Sequence, residues 1–237
     1  MAVKRCQSSI NVVQAAELRL RNVFGNRLPV FMSFSGGKDS LCLAQLIFNL
    51  VQRGEIDPTQ LTVQFIDEEA IFPCIEAKVK EWRKKFLMMG AKFEWYCCEV
   101  KHFNCFNELS NDESFICWDS QKQDVWVRQP PPFAIRSHPS NGRVDAYQDF
   151  LPRTCASGIT ITGIRTAGGT AASEYRLHDA QKSMTSKHQV FPIYDWTDKD
   201  VWLYLLREGV DIPDIYLYLW QSGTGRGSCG SRSFLRR

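Results

Sequence analysis

Residues 28–40 read LPVFMSFSGGKDS, and the chain continues LCLAQLIFNLVQR through residue 53. The apolar run at 28–34, closed by a turn, is the pattern of a buried strand. Apolar positions at helical spacing follow from Leu41, and Gly54 is placed to stop that helix. Between them lie Ser33, Ser35, Gly36, Gly37, Lys38, Asp39 and Ser40. Two glycines let a backbone approach an anion closely, and serine hydroxyls and helix N–H groups donate to phosphate oxygens. Lys38 adds a positive charge and is a candidate catalytic residue, while Asp39 is a candidate magnesium ligand. The spacing G-x-x-x-x-G-K-[ST] is absent, so a P-loop NTPase is excluded. The alternative is an ordinary strand-to-helix turn capped by Asp39 or Ser40.

The alternation continues outward. LTVQFI at 61–66 reads as a second strand ending at Asp67-Glu68-Glu69, and Pro73 starts a helix that runs to Gly90. KFEWYC at 92–97 is a third strand. Strands and helices joined by short connections imply right-handed βαβ units. The expected fold is α/β, a mostly parallel twisted sheet with helices on both faces. Upstream, Ser8 or Ser9 caps a helix over residues 11–24 that Gly25 ends. Downstream, residues 98–157 read as an irregular insertion after the third strand, rich in Trp and Phe and broken by Pro130-Pro131-Pro132. ITITGI at 159–164 is a fourth buried strand, and residues 166–189 are a polar loop with a short helix. Thr197 and Asp200 form a capping box ahead of a helix at 201–209, and residues 212–223 hold a last helix. The expected organisation is one α/β domain over residues 1–222 and a basic Gly/Ser/Arg tail over 223–237.

Composition narrows the class. With 44% hydrophobic and 23% charged residues among 237, the chain is neither disordered nor fibrous. The net charge of +3 is too small to argue nucleic-acid binding. Its placement is uneven, because the tail carries Arg226, Arg232, Arg236 and Arg237 and no acid. Taking those four from 29 basic residues leaves 25, against 26 acidic ones. No run approaches the ~18–20 apolar residues of a membrane span. The start lacks the apolar run of a secretory signal. Nine cysteines is an odd number, and Cys42 and Cys97 sit in apolar runs as reduced core thiols do. A cytoplasmic, reducing compartment and no membrane partner are expected.

The phrase SFSGGKDSL at 33–41 resembles the signature of the PP-loop, or adenine nucleotide α-hydrolase-like, superfamily. FIDEEAIFP at 65–73, GIR at 163–165 and PIYDWTDKDVW at 192–202 narrow the resemblance to the phosphoadenosine phosphosulfate (PAPS) reductase family. ICWD at 116–119 and DVWVR at 124–128 are similar to a branch of predicted PAPS sulfotransferases of bacteria and phages. The resemblance covers about residues 11–220. It implies a site for an adenine nucleotide, PAPS or ATP, at the C-terminal edge of the sheet, with magnesium in ATP-using members, and a thiol reductant such as thioredoxin for PAPS reduction. The chain departs from the family at three places. Gly227-Ser228-Cys229-Gly230-Ser231 lacks the Glu and His that flank the family's attacking cysteine. Thr166-Ala167-Gly168-Gly169 separates GIR from Ser173, Glu174 and Arg176. Cys97-Cys98 has no Cys-x-x-Cys partner, so no iron–sulfur cluster is expected.

Candidate residues follow from their places. Asp67, at a strand's C-terminal end, is positioned to orient a nucleoside or hold magnesium. For Glu68 and Glu69 the reading is a solvated helix N-terminus. The Arg165 fork suits a terminal phosphate or sulfate, with Arg128 and Lys182 as lesser candidates. Trp118 and Trp126 either stack on adenine or fill a satellite core. The four histidines show no metal or triad spacing. Cys229, in a cationic tail, is the sole candidate nucleophile with family-like placement, and an incidental exposed cysteine is the alternative. These residues fit a PAPS-reductase-type enzyme acting at a phosphate or phosphosulfate group. A divergent nucleotide-binding regulatory or DNA-associated protein, using its tail arginines on nucleic acid, is a second reading. A third is an ATP-dependent activator that adenylylates its substrate and releases pyrophosphate.

Overall fold

The computed structural model describes residues 10–103, 114–137, 145–146, 157–165 and 189–221. The first helix, α1 (Val12–Gly25), is capped by Asn11, whose side chain accepts from Gln14 N while Gln14 returns a bond to the Asn11 N–H. The cap is therefore Asn11 rather than Ser8 or Ser9, and the helix runs through Gly25. β1 (Val30–Ser33) follows, then α2 (Lys38–Gln52), β2 (Leu61–Ile66), α3 (Pro73–Met88) and β3 (Lys92–Tyr96). Pro73 stands in the first turn of α3, where its missing N–H costs nothing.

β7 (Ile159–Thr162) and β8 (Gln189–Val190) complete a five-stranded sheet of order β3-β2-β1-β7-β8. Every pairing in it is parallel. Ser33 lies in register with Gln64 on one side and Thr162 on the other. The chain adds β2 and β3 on one side of β1, and β7 and β8 on the other. The switch point, where open α/β sheets bind ligands, therefore falls between β1 and β7.

α3 turns Ile75, Val79, Trp82 and Phe86 inward at helical spacing. Their aromatic rings meet Phe34 and Phe93, with Phe34 and Phe86 edge to face at 5.6 Å. α2 buries apolar residues around most of its circumference, as a helix packed on several sides must. α4 (Asp198–Arg207) lies against α2, and its Thr197–Asp200 capping box forms as expected. α5 (Ile215–Gln221) ends the described chain.

Two regions differ from expectation. β4 (Val100–Phe103) and β5 (Ser114–Cys117) pair antiparallel, and β6 (Asp145–Ala146) joins them, so the insertion carries a three-stranded sheet of its own. β8 falls where a loop with a short helix was expected; its two residues pair with Thr160 and Ile161. Among the described residues no helix is long and apolar enough to cross a membrane.

Candidate functional site

The loop after β1 is built to hold one shape. Gly36 has φ +71, in the region that favours glycine, and a methyl group there would lie 2.7 Å from Val79 Cγ2. Inside the loop a closed set of bonds joins the two serines. The Ser40 hydroxyl donates to Gly37 O at 2.9 Å, and the Ser35 and Ser40 hydroxyls lie 3.0 Å apart. The Gly37 N–H donates to Ser35 Oγ at 3.3 Å, and the Ser35 N–H to Ser40 Oγ at 3.3 Å. The serines thus shape the cradle. Replacing Gly36 by alanine is expected to lower stability by roughly 2 kcal/mol, from strain at positive φ plus overpacking. Gly37→Ala, at φ −82, costs less. Urea midpoints of the two variants test this, and equal losses would undo the argument.

β7 reaches the same place from the other side of the switch point. A methyl group on Gly163 would sit 3.0 Å from Asp39 O, so glycine there allows the strand end to approach the first turn of α2. Arg165 follows and is 4% exposed. Its Nε donates to Asp39 Oδ1 at 2.8 Å, Nη2 to Asp198 Oδ1 at 2.7 Å, and Nη1 to Trp196 O at 3.2 Å. The guanidinium, expected to meet a terminal anion, is engaged by two carboxylates and a carbonyl. It fastens α2 to the start of α4. Lys38 is buried, with Nζ 3.5 Å from Asp39 Oδ2. Two cations and two carboxylates therefore balance. Asp39 is about a third exposed (31%), with Oδ1 on Arg165 and Oδ2 near Lys38, so a magnesium ion would compete with both cations for its carboxylate.

Asp67 lies at the end of β2 with its side chain at 0% exposure. Oδ1 accepts from the Glu69 N–H at 2.9 Å and from the Arg128 guanidinium. Oδ2 accepts from Trp95 Nε1 at 2.8 Å and from the Cys97 thiol at 3.6 Å. Burial pushes its pKa up, against the opposing pull of Arg128, Trp95 and the Glu69 amide. Both oxygens are engaged, so in this arrangement Asp67 presents none to a ribose or a magnesium ion. Ser33 ends β1, half-buried, beside the loop.

The acidic run holds the insertion down. Glu69, at φ +61, accepts from the Trp118 N–H at 2.7 Å and the Val127 N–H at 3.1 Å through its carboxylate. Its carbonyl accepts from Arg128 Nε at 2.9 Å. Asp67 O accepts from Trp118 Nε1, and Glu68 O from the Cys117 thiol. Glu68 is 3% exposed, so the solvated helix start expected here is instead a docking point. The ICWD and DVWVR segments thereby meet the end of β2. Trp118 is core, packed edge to face on Trp126 at 5.3 Å. A cavity of about 350 Å³ beside them is lined by Glu68, Ala70, Phe115, Asp119, Lys122 and Trp126 among others, and by none of residues 33–40.

Burial raises the thiol pKa of Cys97 and Cys117, and that of Cys98 to about 11, so all three are protonated at neutral pH and poor nucleophiles. Among the described residues no group of three or more His, Cys, Asp and Glu is placed to hold a metal ion. Cys229, Lys182, the Ser173, Glu174 and Arg176 cluster and the tail arginines lie outside the described residues. Asp198 and Tyr216 escaped the sequence reading. Asp198 follows a cap residue and looks like ordinary first-turn chemistry, and Tyr216 meets the loop from 178 positions away.

Similarity to known proteins bears on the fold and the family. Solved Candida glabrata FMN adenylyltransferase superposes at TM-score 0.51 with 14% identity, covering 91% of this chain and 63% of that one, which shows a shared fold. Uncharacterized protein YbdN of Escherichia coli (strain K12) is 25% identical over 245 aligned positions. That alignment takes in 94% of this chain, which spans 58% of YbdN. Sulfate adenylyltransferase subunit 2 of Streptomyces lavendulae is 38% identical over 42 residues, 18% of this chain and 13% of that protein. The family model of the phosphoadenosine phosphosulfate reductase domain matches residues 29–222, which contain the glycine loop, the Gly163-Ile164-Arg165 clasp and the start of α4. A match over that span, on a parallel sheet that places these segments at its switch point, means that the chain belongs to the phosphoadenosine phosphosulfate reductase domain family.

Proposed function

We propose that the chain is a nucleotide-binding enzyme whose loop at residues 33–40 holds the phosphates of PAPS or ATP. The observation that carries this reading is the rigid glycine loop opening α2 at the switch point between β1 and β7, where helix amides face the C-terminal edge of the sheet. Local charge supports a metal-bearing ligand. Lys38 and Arg165 are already balanced by Asp39 and Asp198, so a polyanion gains most if magnesium arrives with it. The loop then supplies electrostatic stabilisation to a leaving phosphate or phosphosulfate. If the reaction is PAPS reduction, a thiol attacks the sulfonate sulfur, the S–O bond to the phosphate breaks, and a second thiol releases sulfite as a disulfide forms. Cys229 is the proposed attacking thiol and a thioredoxin-like dithiol the proposed reductant. If it is ATP activation, pyrophosphate leaves instead.

Saturating nucleotide is expected to raise the melting temperature by roughly 5–10 °C, the shift that a hundredfold excess over Kd implies for a chain of this size. ATP, PAPS and adenylylsulfate, each with and without magnesium, are the ligands to compare. No shift from any of them removes the reading. Sulfite release from PAPS with a dithiol, or pyrophosphate release from ATP, then separates the two chemistries.

A further inference from the structure

The amide that opens α2 already has an acceptor. The Lys38 N–H donates to the Tyr216 hydroxyl at 2.9 Å, and that hydroxyl lies 3.1 Å from where a methyl group on Gly37 would be. Gly37 is the N-cap of α2 and brings no side-chain acceptor of its own. An oxygen accepting from the first amide of an uncapped helix stands where a bound anion's oxygen stands. The Tyr216 ring packs edge to face on Trp202 at 5.6 Å, and the Lys38 ammonium is 6.0 Å from its centre. Both the amide and the lysine therefore face Tyr216.

Tyr216 and Ile215 anchor α5 in the main core, with Leu219 partly buried beside them, but that anchor is short. α5 has seven residues and buries Ile215 and Tyr216, while Leu217, Tyr218 and Trp220 are more than half exposed. Segments with few buried apolar contacts open at low free energy. One amide hydrogen cannot serve the tyrosine oxygen and a phosphate oxygen in the same place.

We propose that Tyr216 is a resident occupant of the phosphate site and that α5 is a gate displaced when a nucleotide binds; this rests on the nucleotide reading of the loop. Apparent affinity is then the intrinsic affinity reduced by the fraction of molecules whose gate is open. Tyr216→Phe keeps the ring against Trp202 and removes only the competing oxygen. Calorimetry on the full chain with ATP and magnesium is expected to show binding about 3- to 10-fold tighter in this variant, the range of one net hydrogen bond. Hydrogen exchange of the wild-type chain provides a second readout, independent of whether the variant folds. ATP should speed exchange across residues 215–221 while slowing it across 33–41. Equal or weaker binding by the variant, or slower exchange in α5, overturns the gate while wild-type binding leaves the nucleotide reading intact. If ATP, PAPS and adenylylsulfate all fail to bind either protein, the nucleotide reading fails and the gate with it.

Discussion

Arg165→Met is expected to destabilise the chain by about 3 kcal/mol and to remove nucleotide protection. The guanidinium is 4% exposed and bonded to three acceptors on two helices' first turns and the segment before α4. Methionine fills similar volume but leaves Asp39 and Asp198 without their shared counter-charge and the Trp196 carbonyl without its donor. The carboxylates are 31% and 34% exposed, so water screens part of the loss and the lower end of the range for broken buried pairs applies. Arg165→Lys keeps the charge but not the fork that spans both helices, so its loss should be intermediate. Urea unfolding of the two variants decides the matter. A methionine variant within about 1 kcal/mol of wild type would mean that the pair acts as a surface ion pair and clamps nothing.

This clamp also shows how far the sequence could be read. Strand, glycine turn and helix from residue 28 to 53 are local patterns, and so are the Pro73 helix start and the Thr197–Asp200 box. Such signals lie within a few residues of what they determine, so they are legible without a fold. Gly163 and Arg165 could be marked from a motif, but the reason for that glycine, 3.0 Å from Asp39 O, is a contact across 124 residues of chain. Arg165 was expected to meet a ligand anion because nothing local revealed Asp198. β8 is two residues long, too short for any periodicity to report. The β4–β5 pair has no tight-turn signature, because residues 104–113 separate its strands. Glu68 and Glu69 read as solvated because their partners, Cys117, Trp118, Val127 and Arg128, lie 49 to 59 residues downstream. Charge in sequence says little about burial until the partner is known.

That last point has a measurable consequence at Arg128. Asp67 is enclosed, and burial lifts its pKa even with the guanidinium beside it. A carboxyl whose folded pKa lies above its unfolded value holds its proton more tightly when folded, so its contribution to stability is greatest in acid. That contribution is lost as pH rises through the folded pKa. Removing Arg128 deletes the strongest opposing influence and raises the folded pKa further. Arg128→Met should therefore cost about 3–5 kcal/mol at pH 7.5, where Asp67 must either ionise without a counter-charge or take up a proton against the solution pH. Near pH 4.5 the deficit should shrink, because the buried carboxyl is protonated at little cost. Asp67→Asn in the Arg128→Met background should recover part of the neutral-pH loss, since the amide buries no charge. Paired urea melts at the two pH values measure all three variants. A deficit that is the same at both pH values would show that Arg128 acts through packing on Trp118, whose ring centre is 5.2 Å from the guanidinium carbon, rather than through the charge of Asp67.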